Sequence, residues 1–146
     1  MRVPRLSGVS VRARRLILSL LALGAGYVGF WAQFAPSDWY AQFPGFGLHW
    51  LPVLGPYNQH LSRDVGGLYL ALLVLSAGAL WRIGDPFLTR LTGAAWTAFN
   101  LPHLIFHLAH LDMYNTRDQI LNVAALGGVL LAGAALLLAP YRSADR

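Results

Sequence analysis

A chain of 146 residues has the length of one domain, but 56% hydrophobic and 12% charged residues, with a mean hydropathy of +0.49, depart from the balance of a water-soluble fold. All eleven basic residues are arginine and all six acidic ones aspartate, so the net charge of +5 rests on groups ionised at neutral pH. The lack of cysteine excludes disulfides, thiolate nucleophiles, Cys-ligated zinc and iron–sulfur clusters. The positive charge flanks apolar runs instead of lining a fold, which argues against a nucleic-acid partner and for a lipid bilayer.

The N-terminal "MRVPRLSGVSVRARR" precedes an apolar core that runs to "FWAQF" with no small-x-small cleavage site just after it, and so reads as a retained first helix over 16–34. Three further windows meet the span length of about 20 apolar residues: 65–81, 91–111 and 120–139. The expected fold is therefore all-α, a single four-transmembrane-helix domain over 1–146. In that layout nine of the eleven arginines (Arg2, Arg5, Arg12, Arg14, Arg15, Arg82, Arg90, Arg142 and Arg146) share one side. Arg63 and Arg117 lie on the other, with Asp38, Asp64, Asp112 and Asp118. The positive-inside rule then puts both termini in the cytoplasm of a multi-pass protein of the inner, or plasma, membrane.

Small residues four apart, Ala22/Gly26 and Ala25/Gly29 in the first span and Ala124/Gly128 and Gly128/Ala132 in the fourth, suit close helix packing within the chain or, in a homo-oligomer, between chains. Gly66 and Gly67 would admit a neighbour tightly at the start of the second span. Between the first two spans, "APSDWYAQFPGFGLHWLPVLGPYNQHLSR" is too aromatic for a disordered loop. It reads as an ordered extracytoplasmic cap with rings at headgroup depth and a short helical piece near Leu48 to Leu54.

The third span contains "NLPHLIFHLAHLD". At 100° per residue, His103, His107 and His110 fall on one stripe within about 40° of each other, and a polar stripe in lipid turns towards the bundle or water. Pro102, one residue before it, removes its own N–H and frees the carbonyl of Ala98, with Thr97 and Asn100 nearby as polar contacts. Topology brings "PYNQHLSRDVGG" to the same face, so Asn58, His60, Arg63 and Asp64 join the three histidines as a candidate ligand pocket in the outer leaflet. Arg63 and Asp64 read equally as interfacial anchors at a helix entrance. The i, i+4 spacing of His103 and His107 fits a transition metal, with His60 as a third ligand and Asp64 or Asp112 as additions. A haem would need His60 or a second subunit, because no other span holds a histidine. The histidines equally serve as hydrogen-bonding groups in a packing interface.

The span layout, with "RDVGGLYLALLVLS" and its charged residue followed by Gly-Gly-x-Tyr at Arg63 to Tyr69, resembles the DoxX-like small four-helix bacterial membrane proteins and their uncharacterised relatives. That resemblance implies a membrane-embedded bundle working beside redox or quinone-linked partners, and it transfers no catalytic residue. No P-loop, dinucleotide fingerprint or G-x-S-x-G is present. The expected role is a non-catalytic accessory or small-ligand-binding protein. The alternative is a metal-dependent or redox membrane enzyme that uses His60, His103 and His107.

Overall fold

The computed structural model describes residues 9–138, so Arg2, Arg5, Arg142, Arg146 and the last residue of the expected fourth span lie outside the described residues. Four long helices carry the fold: α1 (Val11–Phe34), α3 (Gln59–Trp81), α4 (Pro86–Ala109) and α5 (Thr116–Leu137). The short α2 (Pro36–Gln42) and a two-stranded hairpin, β1 (Pro44–Gly45) with β2 (Leu48–His49), belong to the cap. Each long helix begins four to six residues before its apolar window. The cause is capping: Ser10, Asn58, Asp85 and Asn115 each accept a hydrogen bond from a first-turn N–H at 3.0–3.2 Å, and Asp85 takes two. Pro86 occupies the first turn of α4, where its lack of an N–H costs no helical hydrogen bond.

By length and composition α1, α3 and α5 can each cross a membrane. The helix α4 is as long, at 24 residues, but its polar residues hold it below that apolarity. The side chains agree with a membrane protein: Leu16, Leu23, Phe34, Val74 and Leu131 are each more than 60% exposed along the helices, a surface suited to acyl chains.

The bundle is two tight antiparallel pairs. In the α1/α3 pair, a Cβ on Gly66 would meet the backbone N of Gln33 at 2.5 Å, and one on Gly29 the backbone N of Leu70 at 3.0 Å. In the α4/α5 pair, a Cβ on Gly93 would meet the backbone N of Leu137 at 2.4 Å, and one on Gly133 would lie 3.0 Å from the Trp96 Cβ. Glycine at these crossings lets backbones touch, which supplies dispersion energy where lipid gives no hydrophobic drive. The expected packing glycine Gly128 is not one of them, since a Cβ there meets nothing within 4 Å. Between the pairs contact is sparser. The α3–α4 connection holds them together, as does a buried bond in which Trp96 Nε1 donates to Ser76 Oγ at 2.9 Å.

The cap closes one end. Its Pro- and Gly-rich chain ladders only in the short hairpin, and side-chain donors satisfy several of its other carbonyls. Tyr27 donates to Pro44 O at 3.0 Å, Tyr114 to Trp50 O at 3.1 Å, and Tyr40 to Gly55 O. Trp31 Nε1 donates to Asp38 Oδ2 at 2.7 Å, tying α2 to α1. The hairpin turns on Phe46 and Gly47, both at positive φ, as a two-residue I′ loop requires. The expected helical piece at 48–54 is in fact this hairpin's second strand followed by one 3-10 turn over Pro52–Leu54, because the close-set prolines and glycines stop a longer helix. The opposite end holds the α3–α4 turn.

A cavity beneath the aromatic cap

A cavity of about 510 Å³ lies between the two helix pairs, roofed by the cap. Its roof contains Trp39, Phe43 and Trp50, and its floor Leu21, Tyr69 and Trp96. A ladder of rings forms one wall, because α4 places aromatic or imidazole side chains at Trp96, Phe99, His103 and His107, three or four residues apart and so on one face. Tyr69 meets Phe99 edge-on at 5.3 Å between centroids, Phe99 stacks on His103 at 5.3 Å, His103 meets His107 at 4.7 Å, and His107 faces Tyr114 at 6.3 Å.

Most of the lining is apolar, and the exceptions matter most. Seven buried side-chain atoms among the described residues have no hydrogen-bond partner, and six of them belong to residues that line this cavity. They are Trp39 Nε1, Trp50 Nε1, Asn100 Oδ1, His107 Nδ1, and both Nδ2 and Oδ1 of Asn122. Asn100 and Asn122 are each 1% exposed and His107 6%, so bulk water does not serve them. An unpaired buried polar atom costs about 1–3 kcal/mol, and six of these seven belong to side chains around one space. Other polar groups in α4 are paired: the buried Thr89 and Thr92 and the half-buried Thr97 donate back to carbonyls one turn earlier, at Asp85, Leu88 and Gly93. Asn100 Nδ2 is likewise held by Trp96 O at 2.9 Å, which aligns its amide and leaves only the oxygen over. With Thr97 also bonded a turn back, neither side chain serves the carbonyl that Pro102 frees.

At the cap end, burial pushes the Tyr114 phenol up to about 12. The Asn122 amide lies near enough to oppose that rise, yet outside hydrogen-bond geometry. Asp118 adds to it.

The structure divides the sequence-predicted residues. Asn58, His103 and His107 line the cavity, although Asn58 also caps α3. His60, Arg63 and Asp64 are exposed and do not line it. Instead of meeting the histidine stripe, His60 Nε2 pairs with Asp64 Oδ2 at 3.4 Å, one helical turn away, and Arg63 donates to Gln33 O at 2.8 Å, anchoring α3 to the end of α1. His110 leaves the stripe because α4 ends at Ala109; its Nδ1 bonds to Phe106 O at 2.7 Å and its ring stacks on Phe106. Asp112 is exposed in the 3-10 turn Leu111–Met113. Among the described residues no group of three or more histidine and aspartate side chains is placed to hold a metal ion.

Trp39, Trp50 and Asn122 were not among the sequence-predicted residues. Asn122 had a signal, a lone amide inside the apolar run "ILNVAALGG". The tryptophans had none, because interfacial rings are expected in any such cap. No protein-family model, curated protein or solved structure matches the chain.

Proposed function

We propose that the protein is a four-span membrane bundle that binds a small, mainly apolar molecule in the cavity beneath the cap, acting as a binding or accessory protein. In this reading α4 is the remaining span. Its low mean hydropathy comes chiefly from Arg90 in its first turns and from Asn100, His103 and His107, of which Asn100 and His107 are buried and His103 half-buried, while Leu91, Leu101, Ile105 and Leu108 on its outward side suit lipid. The turn end carries Arg12, Arg14, Arg15, Arg82 and Arg90 against one aspartate, Asp85, which favours the cytoplasmic side of a plasma membrane and puts the cap outside.

The observation that carries the reading is the aromatic-walled space itself, roofed by the cap, with six unpartnered polar atoms buried in the side chains around it. A largely apolar cavity with a few placed polar groups is the usual form of a small-molecule site, and 510 Å³ lies within its common range of about 300–1,000 Å³.

A ligand that binds the folded state raises its stability in proportion to the logarithm of its concentration. The test is thermal unfolding of the purified protein against a panel of uncharged amphiphiles, beside a Val65→Trp variant that fills the space from α3. One chemical class should raise the melting temperature of the parent and leave the variant unmoved. No response to any class, or equal responses from both proteins, would contradict the reading.

A further inference from the structure

We infer that the cavity is gated: the α4/α5 pair swings as one body against a second body of α1, the cap and α3, hinged at the α3–α4 turn, and the bond from Tyr114 to Trp50 is the latch that holds the cap end shut. As a gate for a ligand the device rests on the binding reading above, whereas the motion is measurable with no ligand present.

The two hydrophobic clusters of the bundle define the bodies. In the half nearer the α3–α4 turn, Leu18, Leu72, Ala79, Trp96 and Leu136 come from all four long helices and form one shared core. Polar bonds cross there too, from Trp96 Nε1 to Ser76 Oγ at 2.9 Å and from Thr92 Oγ1 to Leu75 O at 3.4 Å. The cluster at the cap end is different. Val28, Ala32 and Trp39, with the half-buried apolar side chains packed on them, belong to α1, the cap or α3, and none comes from α4 or α5. The cap therefore travels with α1 and α3, and the bonds from Tyr27 and Trp31 tie it to α1 as well.

Between Tyr69 and the cap the pairs enclose the cavity instead of a core, so parting them there breaks few van der Waals contacts: walls that already face a space have little to lose. Among the described residues one hydrogen bond spans the pairs on that side, from Tyr114 Oη to Trp50 O at 3.1 Å. Both of its ends are fixed in their own bodies. Gln119 Nε2 donates to Leu111 O at 2.9 Å and to Tyr114 O at 3.0 Å, which braces the segment before α5, and Trp50 N donates to Phe43 O at 2.8 Å within the cap. A bond between two braced groups cannot follow a swing, and it must break for the cap end to part. At the other end residues 82–85 are the hinge: a Cβ on the exposed Gly84 would meet nothing within 4 Å, so the connection has room to turn.

The test measures distances between pairs of spin labels on introduced cysteines, by double electron–electron resonance on protein in nanodiscs; the chain has no cysteine of its own. Gln59 with Asp112 spans the two bodies at the cap end, Phe46 with Gln59 lies within one body, and Val11 with Phe87 spans the bodies at the turn end; all of these residues are exposed. With the latch removed in Tyr114→Phe, the first pair should populate a longer distance about fivefold more than the parent does, as loss of one net hydrogen bond gives. The other two pairs should match the parent. In the parent itself, samples frozen rapidly from rising temperatures should show the first pair lengthening before the others, so the outcome does not depend on the variant folding. An unchanged first pair in Tyr114→Phe, a lengthening of Phe46 with Gln59 (a cap that lifts alone), or all three pairs lengthening together in either protein would overturn the inference. These distances need no ligand, so the two failures are told apart: an absent swing overturns the gate and leaves binding to the melting panel, whereas a panel without a responder overturns the gate's role together with the binding reading.

Discussion

Tyr114 shows how one side chain joins cap, helix and cavity. It lies between α4 and α5, donates to Trp50 O, faces the His107 ring, and is 6% exposed. Burial raises its pKa from 10.0 to about 12, so the folded state holds the phenolic proton more tightly than the unfolded chain does. Its stabilising contribution is complete below the unfolded value and is lost as pH rises from there through the folded one. The melting temperature of the parent protein should therefore fall between about pH 10 and 12, and Tyr114→Phe should flatten that fall. The same variant should lose about 1 kcal/mol near neutrality, the net worth of a hydrogen bond to the cap carbonyl. A parent curve as flat as that of the variant would show that the phenol is not held in this way. Single residues were only partly legible in the sequence. His103 and His107 stood out because imidazoles in an apolar run are conspicuous, but Trp39 and Trp50 became notable only once folding left their indole N–H groups unpaired over a cavity.

The helices were more legible than their ends. Hydropathy located all four long segments, since a lipid-facing surface is a property of composition, but it placed every start four to six residues late, because Ser10, Asn58, Asp85 and Asn115 decide where a helix begins. Small-residue spacing was a mixed guide. It found Gly29 at the α1/α3 crossing, where the Gly66–Gly67 pair also marked Gly66, but it missed Gly93 and Gly133 at the α4/α5 crossing and singled out Gly128, which packs against nothing nearby. Spacing marks which residues permit close approach, and only the helix rotation decides which are used. Two substitutions separate these cases in unfolding measurements. Gly93→Val should cost about 2 kcal/mol or more by forcing α5 off the α4 backbone. Gly24→Ala, facing open space inside a helix, should stabilise by about 0.5–1 kcal/mol. Equal effects from the two would mean that the α4/α5 crossing is not as tight as described.

At the scale of the whole molecule, charge and fold give one arrangement: two tight helix pairs, a cavity between them, an aromatic cap over one end and an arginine-rich turn at the other. The absence of cysteine makes the arrangement simple to map. Single cysteines at Phe46 in the cap and at Asp112 after α4 should both react with a membrane-impermeant maleimide on intact cells, while one at Ile83 should react only after permeabilisation. Labelling of Phe46 and Asp112 from opposite sides would remove α4 as a span and with it the wall of the cavity. The central claim, that the space beneath the cap holds a small molecule, is tested most directly by native mass spectrometry of the protein released gently from detergent. The parent should carry one uncharged adduct per chain, and Val65→Trp, recorded under the same conditions, should carry none. A parent spectrum free of adducts, or the same adduct on both proteins, would contradict it.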